Sequence, residues 1–286
     1  MQRCDVCFRH CAVPEGGKGF CGARSCSGGK IRPENYGRIT GIALDPIEKK
    51  PLHRFLPGSM ILSVGSYGCN LRCPFCQNHH ISWSAEALAL ADSAPYVPPE
   101  ELVRLAEKTR SRGNVGLAFT YNEPLVGWEY VRDAAKLARE AGLVSVLVTN
   151  GTAELPVLEA IGPYIDAMNI DLKGFTPRYY TDVLGGSLEM VKAFIARAVQ
   201  LSHVELTTLI VPGENDSEEE MLALSAWIAG LADAGGRIIG PEIPLHVSRF
   251  FPRFHMTDRP ATETGCVRRL ADTARKNLKY VWTGNC

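Results

Sequence analysis

The sequence lacks both a net charge and a long hydrophobic run. Its 286 residues carry 31 basic and 31 acidic side chains, which gives a formal net charge of zero. No run of like charge exceeds a few residues, and this argues against nucleic acid or a membrane surface as the main partner, because both are bound through a basic face. No stretch of about 18 apolar residues is uninterrupted, so we expect no transmembrane helix.

The amino terminus also lacks the pattern of a secretion signal. MQRCDVCFRHC contains no basic stretch followed by an apolar one. We therefore expect a cytoplasmic protein. In that reducing compartment, clustered cysteines are metal ligands more often than disulfide partners. Eight of the ten cysteines cluster, five between residues 4 and 26 and three between residues 69 and 76.

The chain divides into two parts that differ in composition and in hydrophobic periodicity. Residues 1–58 are rich in Gly, Cys, Pro and charged residues and have poor periodicity, which predicts a loop-rich segment that needs a metal staple. Residues 59–286 alternate short apolar runs with amphipathic stretches, as successive βα units do. We therefore expect a main domain over 59–286 with a small cysteine-rich segment before it.

Seven candidate strands and six candidate helices alternate in the main domain. The strands are MILSVGS, NVGLAFTY, LVSVLVTN, AMNIDLK, HVELTTLIV, RIIGPEIPLHV and LKYVWTG. The helices are PPEELVRLAEKTRSRG, PLVGWEYVRDAAKLAREAG, AELPVLEAIG, SLEMVKAFIARAVQ, DSEEEMLALSAWIAGLADAG and TETGCVRRLADTARK. One strand per unit predicts an α/β fold with a parallel sheet, and about six units suffice to curl it into a partial barrel.

Polar side chains follow the apolar runs at the points where these strands should end. In a parallel barrel the chemistry lies at the carboxyl ends of the strands, so we expect these side chains to converge on one rim. Five strand ends contribute to this set, which comprises Cys69, Cys73, Cys76, Asn122, Glu123, Thr149, Asn150, Asp171, Lys173 and His246.

The loop GCNLRCPFCQNHH carries three cysteines, at 69, 73 and 76. Three thiolates on one short loop can hold three corners of a cubane iron-sulfur cluster. Gly68 and Pro74 supply the tight bends that such a loop needs. The fourth iron would then have no protein ligand, and an open metal position is typical of a catalytic site.

The spacing Cys-x3-Cys-x2-Cys, with Phe75 before the last cysteine, resembles the signature of radical S-adenosylmethionine (SAM) enzymes. GCNLRCPFCQN is similar to the cluster loop of pyruvate formate-lyase activating enzymes, and TYNEP, VTNG, NIDLK, IVPGENDS and PLH follow in the corresponding order. DPIEKKPLHRFLPGS, NIDLKGF, PLHVSRFFPRFHM and the final YVWTGN resemble a narrower branch, the AmmeMemoRadiSam system radical SAM enzymes. The likeness spans essentially the whole chain.

This resemblance implies a partial (β/α)6 TIM-type barrel and a role for each residue of the rim. A [4Fe-4S] cluster would lie on Cys69, Cys73 and Cys76, with Phe75 beside the last ligand and Asn78 holding the loop. Asn122 and Glu123 would meet the amino group of SAM. Asp171 and Lys173 would lie near its carboxylate and ribose. The remaining implied cofactor-binding residues are Thr149, Asn150 and His246.

The implied reaction is reductive cleavage of SAM, which gives a 5′-deoxyadenosyl radical that abstracts hydrogen from a substrate. The substrate would be a glycyl-radical enzyme, another macromolecule or a metabolite, and the electron donor would be a flavodoxin or ferredoxin. One departure concerns a monovalent cation site. Activating enzymes carry Asp before TNG and this chain has Val148, so we do not expect that site here.

Simpler interpretations of the rim residues stay open. Asn122 and Glu123 could cap a helix that starts at Pro124. Asp171 and Lys173 alternate with Leu172 and could form an internal salt bridge. A lone histidine such as His246 is usually structural. A non-catalytic metal-binding adaptor would also fit the cysteines, although it would not require Glu123 or the complete three-cysteine loop.

The first four cysteines form a second candidate metal site. Cys4, Cys7, Cys11 and Cys21 follow the spacing C-x2-C-x3-C-x9-C, which can build one tetrahedral site. Structural zinc is the first candidate and an auxiliary iron-sulfur cluster is the second. His10 or Cys26 could replace one ligand. The two remaining cysteines have no assigned role, since Cys266 reads as a small core residue and Cys286 ends the sequence.

Overall fold

The computed structural model describes residues 1–286, apart from the side chain of residue 92. An eight-stranded sheet is its main feature, with strand order β12-β11-β10-β9-β8-β7-β6-β5. Strands β6 to β12 are parallel to one another, and β5 is antiparallel to β6. The strands of this sheet are β5 (Gly41–Pro46), β6 (Met60–Gly65), β7 (Asn114–Phe119), β8 (Val144–Thr149), β9 (Ala167–Asp171), β10 (His203–Ile210), β11 (Leu245–Arg249) and β12 (Val281–Gly284).

Helices cover the outside of this sheet. They are α1 (His79–Ser82), α2 (Ala85–Ser93), α3 (Pro99–Lys108), α4 (Trp128–Glu140), α5 (Leu155–Ile161), α6 (Leu188–Ala198), α7 (Glu218–Ala229) and α8 (Thr264–Ala274). Local signals fix several ends: Ser217 caps α7 by accepting a hydrogen bond from the Glu220 amide, and Gly113 and Gly142 take positive φ after α3 and α4. In the described part of the chain, no helix is long and apolar enough to cross a membrane.

The predicted fold class is confirmed. All seven predicted strands of the main domain are present, and each of the six predicted helices has its counterpart among α3 to α8. Helices α1 and α2 were not predicted. They follow directly on the cysteine loop, in a stretch whose periodicity is weak.

The cysteine-rich segment is less separate from the barrel than a boundary at residue 58 would imply. Two small hairpins fold near its start, β1 (Gln2–Arg3) with β2 (Ala12–Val13) and β3 (Arg24–Ser27) with β4 (Lys30–Pro33). Residues 41–46, however, form β5 and pair with β6 along its whole length. The main sheet therefore begins before the boundary, because the edge of β6 would otherwise leave its backbone groups unpaired.

Residues 47–55, which we call the floor segment, close the amino end of the barrel. Ile47 and Leu52 are fully buried there against an apolar layer of inward-facing strand residues, namely Ile61, Ala118, Val146 and Ala167. The Asn169 amide donates to the Pro51 carbonyl at 2.9 Å. The aromatic rings of His53 and Trp282 meet at 5.0 Å, which links the floor segment to the last strand.

A buried carboxylate, Glu205 on β10, anchors the floor segment. It accepts hydrogen bonds from the backbone amides of His53 (3.0 Å) and Arg54 (2.7 Å). It also contacts the imidazoles of His246 (2.7 Å) and His203 (3.0 Å). Burial alone would raise the pKa of Glu205, but these four partners outweigh it and lower the pKa to about 2.

Replacing this carboxylate should destabilise the protein in a pH-dependent way. A carboxyl group whose pKa falls from 4.5 to about 2 on folding stabilises the native state above pH 4.5 and loses that contribution as pH falls toward 2. We expect Glu205→Gln to lower the free energy of unfolding by about 2–3 kcal/mol at pH 7 and by much less at pH 3. Equilibrium denaturation at both pH values measures this. The matched control is Glu242→Gln, which removes an exposed partner of Lys279, and a loss independent of pH would contradict the assignment.

Candidate active site

The carboxyl ends of the strands surround a cavity of about 330 Å³. The three loop cysteines line it together with most of the polar residues predicted for the rim. The predicted residues on its wall are Cys69, Cys73, Phe75, Cys76, Asn78, Asn122, Glu123, Thr149, Asn150, Asp171 and Lys173. Loops that follow β6, β7, β8 and β9 thus bring their side chains to one place, as expected for a parallel barrel.

The cysteine loop is tightly bent and largely buried. Gly68 has φ +97°, and a Cβ at this position would lie 2.5 Å from the Cβ of Ala23, so only glycine fits. The Arg72 amide donates to the Leu184 carbonyl at 2.9 Å, which ties the loop to the segment after β9. Burial raises the pKa of Cys73 to about 11. Metal binding at this loop would therefore have to displace protons from the thiols.

Asn122 holds the backbone that leads into the cysteine loop. Its side-chain oxygen accepts from the Ser66 amide (3.0 Å), and its side-chain nitrogen donates to the carbonyls of Tyr67 (3.1 Å) and Gly68 (3.1 Å). These bonds leave the Asn122 amide little capacity for a cofactor. The geometry therefore favours loop positioning over the predicted contact with an amino group.

Glu123 joins the ends of β7 and β8. Its carboxylate accepts hydrogen bonds from the Thr149 hydroxyl (2.7 Å), the Asn150 amide (2.8 Å) and the Leu125 amide (3.0 Å). The last bond caps the short 3-10 turn Pro124–Gly127, so the capping interpretation is correct for this residue. Burial outweighs the three donors and raises the pKa of Glu123 to about 7.

Asp171 and Lys173 form a salt bridge of 2.8 Å on the cavity wall. The predicted internal ion pair is therefore present, and it faces the cavity. The backbone amide of Lys173 donates to the Tyr180 hydroxyl at 3.0 Å, which fixes the chain just after β9. The pair supplies one anionic and one cationic group to the cavity wall.

Two residues beside the cysteines support the loop. Asn78 donates from its side chain to the Tyr121 carbonyl at 2.8 Å, and this bond ties the end of the cysteine loop to the end of β7. Phe75 packs edge-to-face on Phe250, with ring centroids 6.1 Å apart. Both rings are buried, so this side of the cavity wall is apolar.

The expected position of His246 is wrong. His246 is the second residue of β11, near the amino end of that strand, where it contacts Glu205 below the cavity. It does not line the cavity. Ser248 and Arg249, further along the same strand, do so instead. The apolar residues on both sides of His246 in the sequence conceal whether the strand starts or ends there.

Several cavity residues were missed at the sequence level. Tyr121 adopts φ +74°, and its hydroxyl donates to Asp45 at 2.9 Å. Such a strained backbone is common beside functional sites. The sequence TYNEP does not indicate this conformation. Arg249, Phe251 and Arg253 line the outer part of the cavity. Val148, which replaces the Asp of activating enzymes, also lies on the wall.

The cysteines at the amino terminus lie beside this site. The Cys4 amide donates to the Cys11 carbonyl (2.9 Å), and the Cys69 amide donates to the Cys21 carbonyl (3.3 Å). Burial, with smaller contributions from Cys4 and Cys11, raises the pKa of Cys7. Among the described residues, no three His, Cys, Asp or Glu side chains are arranged to hold one metal ion. Both occupants considered for these cysteines, zinc and a second iron-sulfur cluster, therefore stay predictions.

Comparison with known proteins identifies the family. The Radical SAM superfamily model matches residues 63–225, which is more than half of the chain and includes the cysteine loop. The chain belongs to the radical SAM superfamily. An uncharacterized protein of Methanocaldococcus jannaschii is 38% identical over 287 residues, covering 99% of this chain and 81% of that protein.

Other proteins, at lower identity, match parts of the chain in sequence or in fold. GTP 3′,8-cyclase of Pseudomonas syringae pv. syringae is 27% identical over 163 residues, covering 55% of this chain and 47% of the cyclase. Streptococcus suis SuiB has a similar fold, with a TM-score of 0.57 and 14% identity over 78% of this chain and 48% of SuiB. A domain of pyruvate-formate lyase-activating enzyme from Bacteroides vulgatus has a TM-score of 0.50 and 14% identity over 59% of this chain and 99% of the domain.

Membership of this superfamily implies a [4Fe-4S] cluster and SAM as cofactors, and the cavity fits both. Three thiols share one loop, and within the described residues no fourth cysteine and no histidine lines the cavity. An open position on the metal is therefore compatible with the donor set. A carboxylate and an ammonium group lie on the wall for a ligand that carries both charges. The narrower AmmeMemoRadiSam resemblance stays a prediction.

Changing Asn122 should loosen the cysteine loop. Asn122→Asp keeps the acceptor for the Ser66 amide but points a carboxylate oxygen at the carbonyls of Tyr67 and Gly68. Because two acceptors repel, we expect the variant to retain several-fold less iron after anaerobic reconstitution and desalting. Iron analysis measures this. The control Asn277→Asp changes a residue after α8, and equal iron retention in both variants would refute the positioning role.

Proposed function

We propose that this radical SAM enzyme holds its cluster on Cys69, Cys73 and Cys76 and transfers a hydrogen atom from a substrate to the 5′-carbon of SAM. When bound, the cluster supplies the electron that cleaves SAM reductively. The single observation that carries the proposal is the convergence of the three thiols, Glu123 and the Asp171–Lys173 pair on one cavity. The protein's contribution is to orient these groups and to exclude water.

The charged residues of the cavity have separable roles in this proposal. Lys173 would hold the carboxylate of SAM, and Asp171 keeps the Lys173 ammonium in place. Glu123 is the acceptor proposed for the amino group, since its pKa of about 7 lets a cationic neighbour draw it into the ionised form. Asn122 and Asn78 act indirectly, by fixing the loop that carries the cysteines.

Release of 5′-deoxyadenosine tests the proposal. Anaerobically reconstituted protein, given dithionite and SAM, should form this product. Cys73→Ala should abolish it, because a cluster loses one of its three protein ligands. Lys173→Met should lower the rate at least ten-fold at limiting SAM by removing the only lysine on the wall within the described residues.

The matched control for this assay is Cys266→Ala, which removes a thiol on α8 outside the cavity. It should cleave SAM at the wild-type rate. Product formation by Cys73→Ala at the wild-type rate would contradict the proposal, as would a complete lack of product from wild-type protein that carries its full complement of iron.

The outer part of the cavity supports a proposal about the substrate. Arg249 donates to the Thr262 carbonyl at 2.6 Å, and neither Arg249 nor Arg253 has a carboxylate partner among the described residues. Phe251 lies beneath the Arg249 guanidinium and is 45% exposed. Guanidinium groups without acidic partners favour phosphate or carboxylate groups. The substrate would therefore be a small anionic metabolite, with a glycyl-radical enzyme as the second candidate, suggested by the resemblance to activating enzymes.

Deuterium tracing distinguishes the two substrates. Metabolite and protein fractions from cells grown in deuterated medium would be incubated with the enzyme, and deuterium would be measured in 5′-deoxyadenosine. We expect transfer from a metabolite fraction that binds an anion exchanger, reduced at least ten-fold by the double variant Arg249→Met and Arg253→Met. Arg268→Met, on the surface of α8, is the control. Transfer from protein alone would overturn the metabolite assignment and favour a glycyl-radical enzyme.

A further inference from the structure

Cys4, Cys7, Cys11 and Cys21, here called the N-terminal cysteine set, lie on neighbouring backbone segments. The hairpin of β1 and β2 places Cys4 opposite Cys11, and the Cys4 amide donates to the Cys11 carbonyl at 2.9 Å. The Phe20 amide points at the Cys11 sulfur from 3.4 Å, next to Cys21 in the chain. Four thiols in a loop-rich segment form a soft donor set.

The other two candidate ligands have partners of their own. Cys26 lies on β3, and its sulfur is 3.5 Å from the Glu15 carboxylate, which would oppose formation of a thiolate. The His10 imidazole contacts Glu154 at 3.0 Å. The set therefore consists of the four cysteines with the spacing C-x2-C-x3-C-x9-C.

Three hydrogen bonds tie this segment to the cysteine loop of the cavity. The Cys21 carbonyl accepts from the Cys69 amide at 3.3 Å, so the backbones of two cysteines are directly joined. Arg9 donates to the Asn70 carbonyl at 2.7 Å, and Arg72 donates to the Phe20 carbonyl. One path from the Cys21 sulfur to the Cys69 sulfur thus runs through the covalent bonds of these two residues and one hydrogen bond.

The opposite side of the set reaches solvent. Cys11 is half-buried, and the ring of Phe20 is 41% exposed. The guanidinium groups of Arg9 and Arg72 lie over this ring at 3.4 and 3.7 Å. Two cations next to a metal centre reduce the electrostatic cost of adding an electron to it. The Cys73 thiol of the cavity, in contrast, is only 8% exposed.

We propose that the N-terminal cysteine set binds a second iron-sulfur cluster that delivers electrons to the cluster on Cys69, Cys73 and Cys76. An external one-electron donor protein is oxidised by one electron as the second cluster is reduced, and the second cluster is reoxidised as the first is reduced. This transfer moves no proton and neither forms nor breaks a bond. The proposal rests on the proposed function for the use of the electron.

A zinc ion would occupy the same ligands without this capability, since zinc has no redox chemistry. Zinc on these four cysteines would have a structural role only, holding residues 4–26 together. The two occupants differ in iron content and in their effect on electron delivery, so one set of proteins separates them.

Metal analysis of anaerobically reconstituted protein is the first test. We expect about eight irons and eight sulfides per chain, because each cubane holds about four. The double variant Cys7→Ala and Cys21→Ala, and separately Cys11→Ser at the most exposed ligand, should each retain about four irons. Cys26→Ala is the matched control and should retain about eight. About four irons in the wild-type protein, or one zinc beside four irons, would overturn the proposal.

Electron delivery is the second test. 5′-Deoxyadenosine formation would be driven in parallel by reduced flavodoxin and by dithionite. We expect the double variant and Cys11→Ser to lose at least ten-fold more of the flavodoxin-driven rate than of the dithionite-driven rate. Equal losses with both reductants would overturn the relay. If wild-type protein holds only about four irons and still cleaves SAM with dithionite, the second cluster is excluded and the proposed function stands.

Discussion

Two adjacent side chains after β7 hold three strand ends of the barrel together. Asn122 bonds the backbone at residues 66–68, where β6 gives way to the cysteine loop, and Glu123 bonds Thr149 and Asn150 at the end of β8. Glu123 is buried and Asn122 is half-buried, so water competes little for the hydrogen bonds of Glu123 and only in part for those of Asn122. These bonds fix the position of the cysteine loop relative to β7 and β8. That position determines the shape of the cavity.

The barrel is polar at one end and sealed at the other. Ile47 and Leu52 fill the amino end, where Glu205 anchors the floor segment through two backbone amides. The cavity therefore lies at the carboxyl side of the sheet, where the loop after β11 contributes Phe251 and Arg253 to its lining. Separation of these ends lets the floor supply stability while the rim carries strained backbone, such as Tyr121, and buried charge.

The sequence predicted most strands and rim residues because apolar runs of parallel strands are long and their polar ends stand out. His246 was misplaced because the apolar run IPLHV continues on both sides of it. The role of Asn122 was missed because its partners are backbone atoms about 55 residues away. The contact of Cys21 with Cys69 is likewise a consequence of packing, since no local pattern relates two loops so far apart.

The central claim is that the cluster proposed on Cys69, Cys73 and Cys76 would keep one iron without a protein ligand, beside which SAM would bind in the cavity. Electron-nuclear double resonance of the reduced protein with SAM labelled with nitrogen-15 at the amino group tests it most directly. A hyperfine coupling between the label and the cluster, lost in Cys73→Ala, is the predicted result. A cluster signal that shows no coupling to the label and no change on addition of SAM would contradict the account.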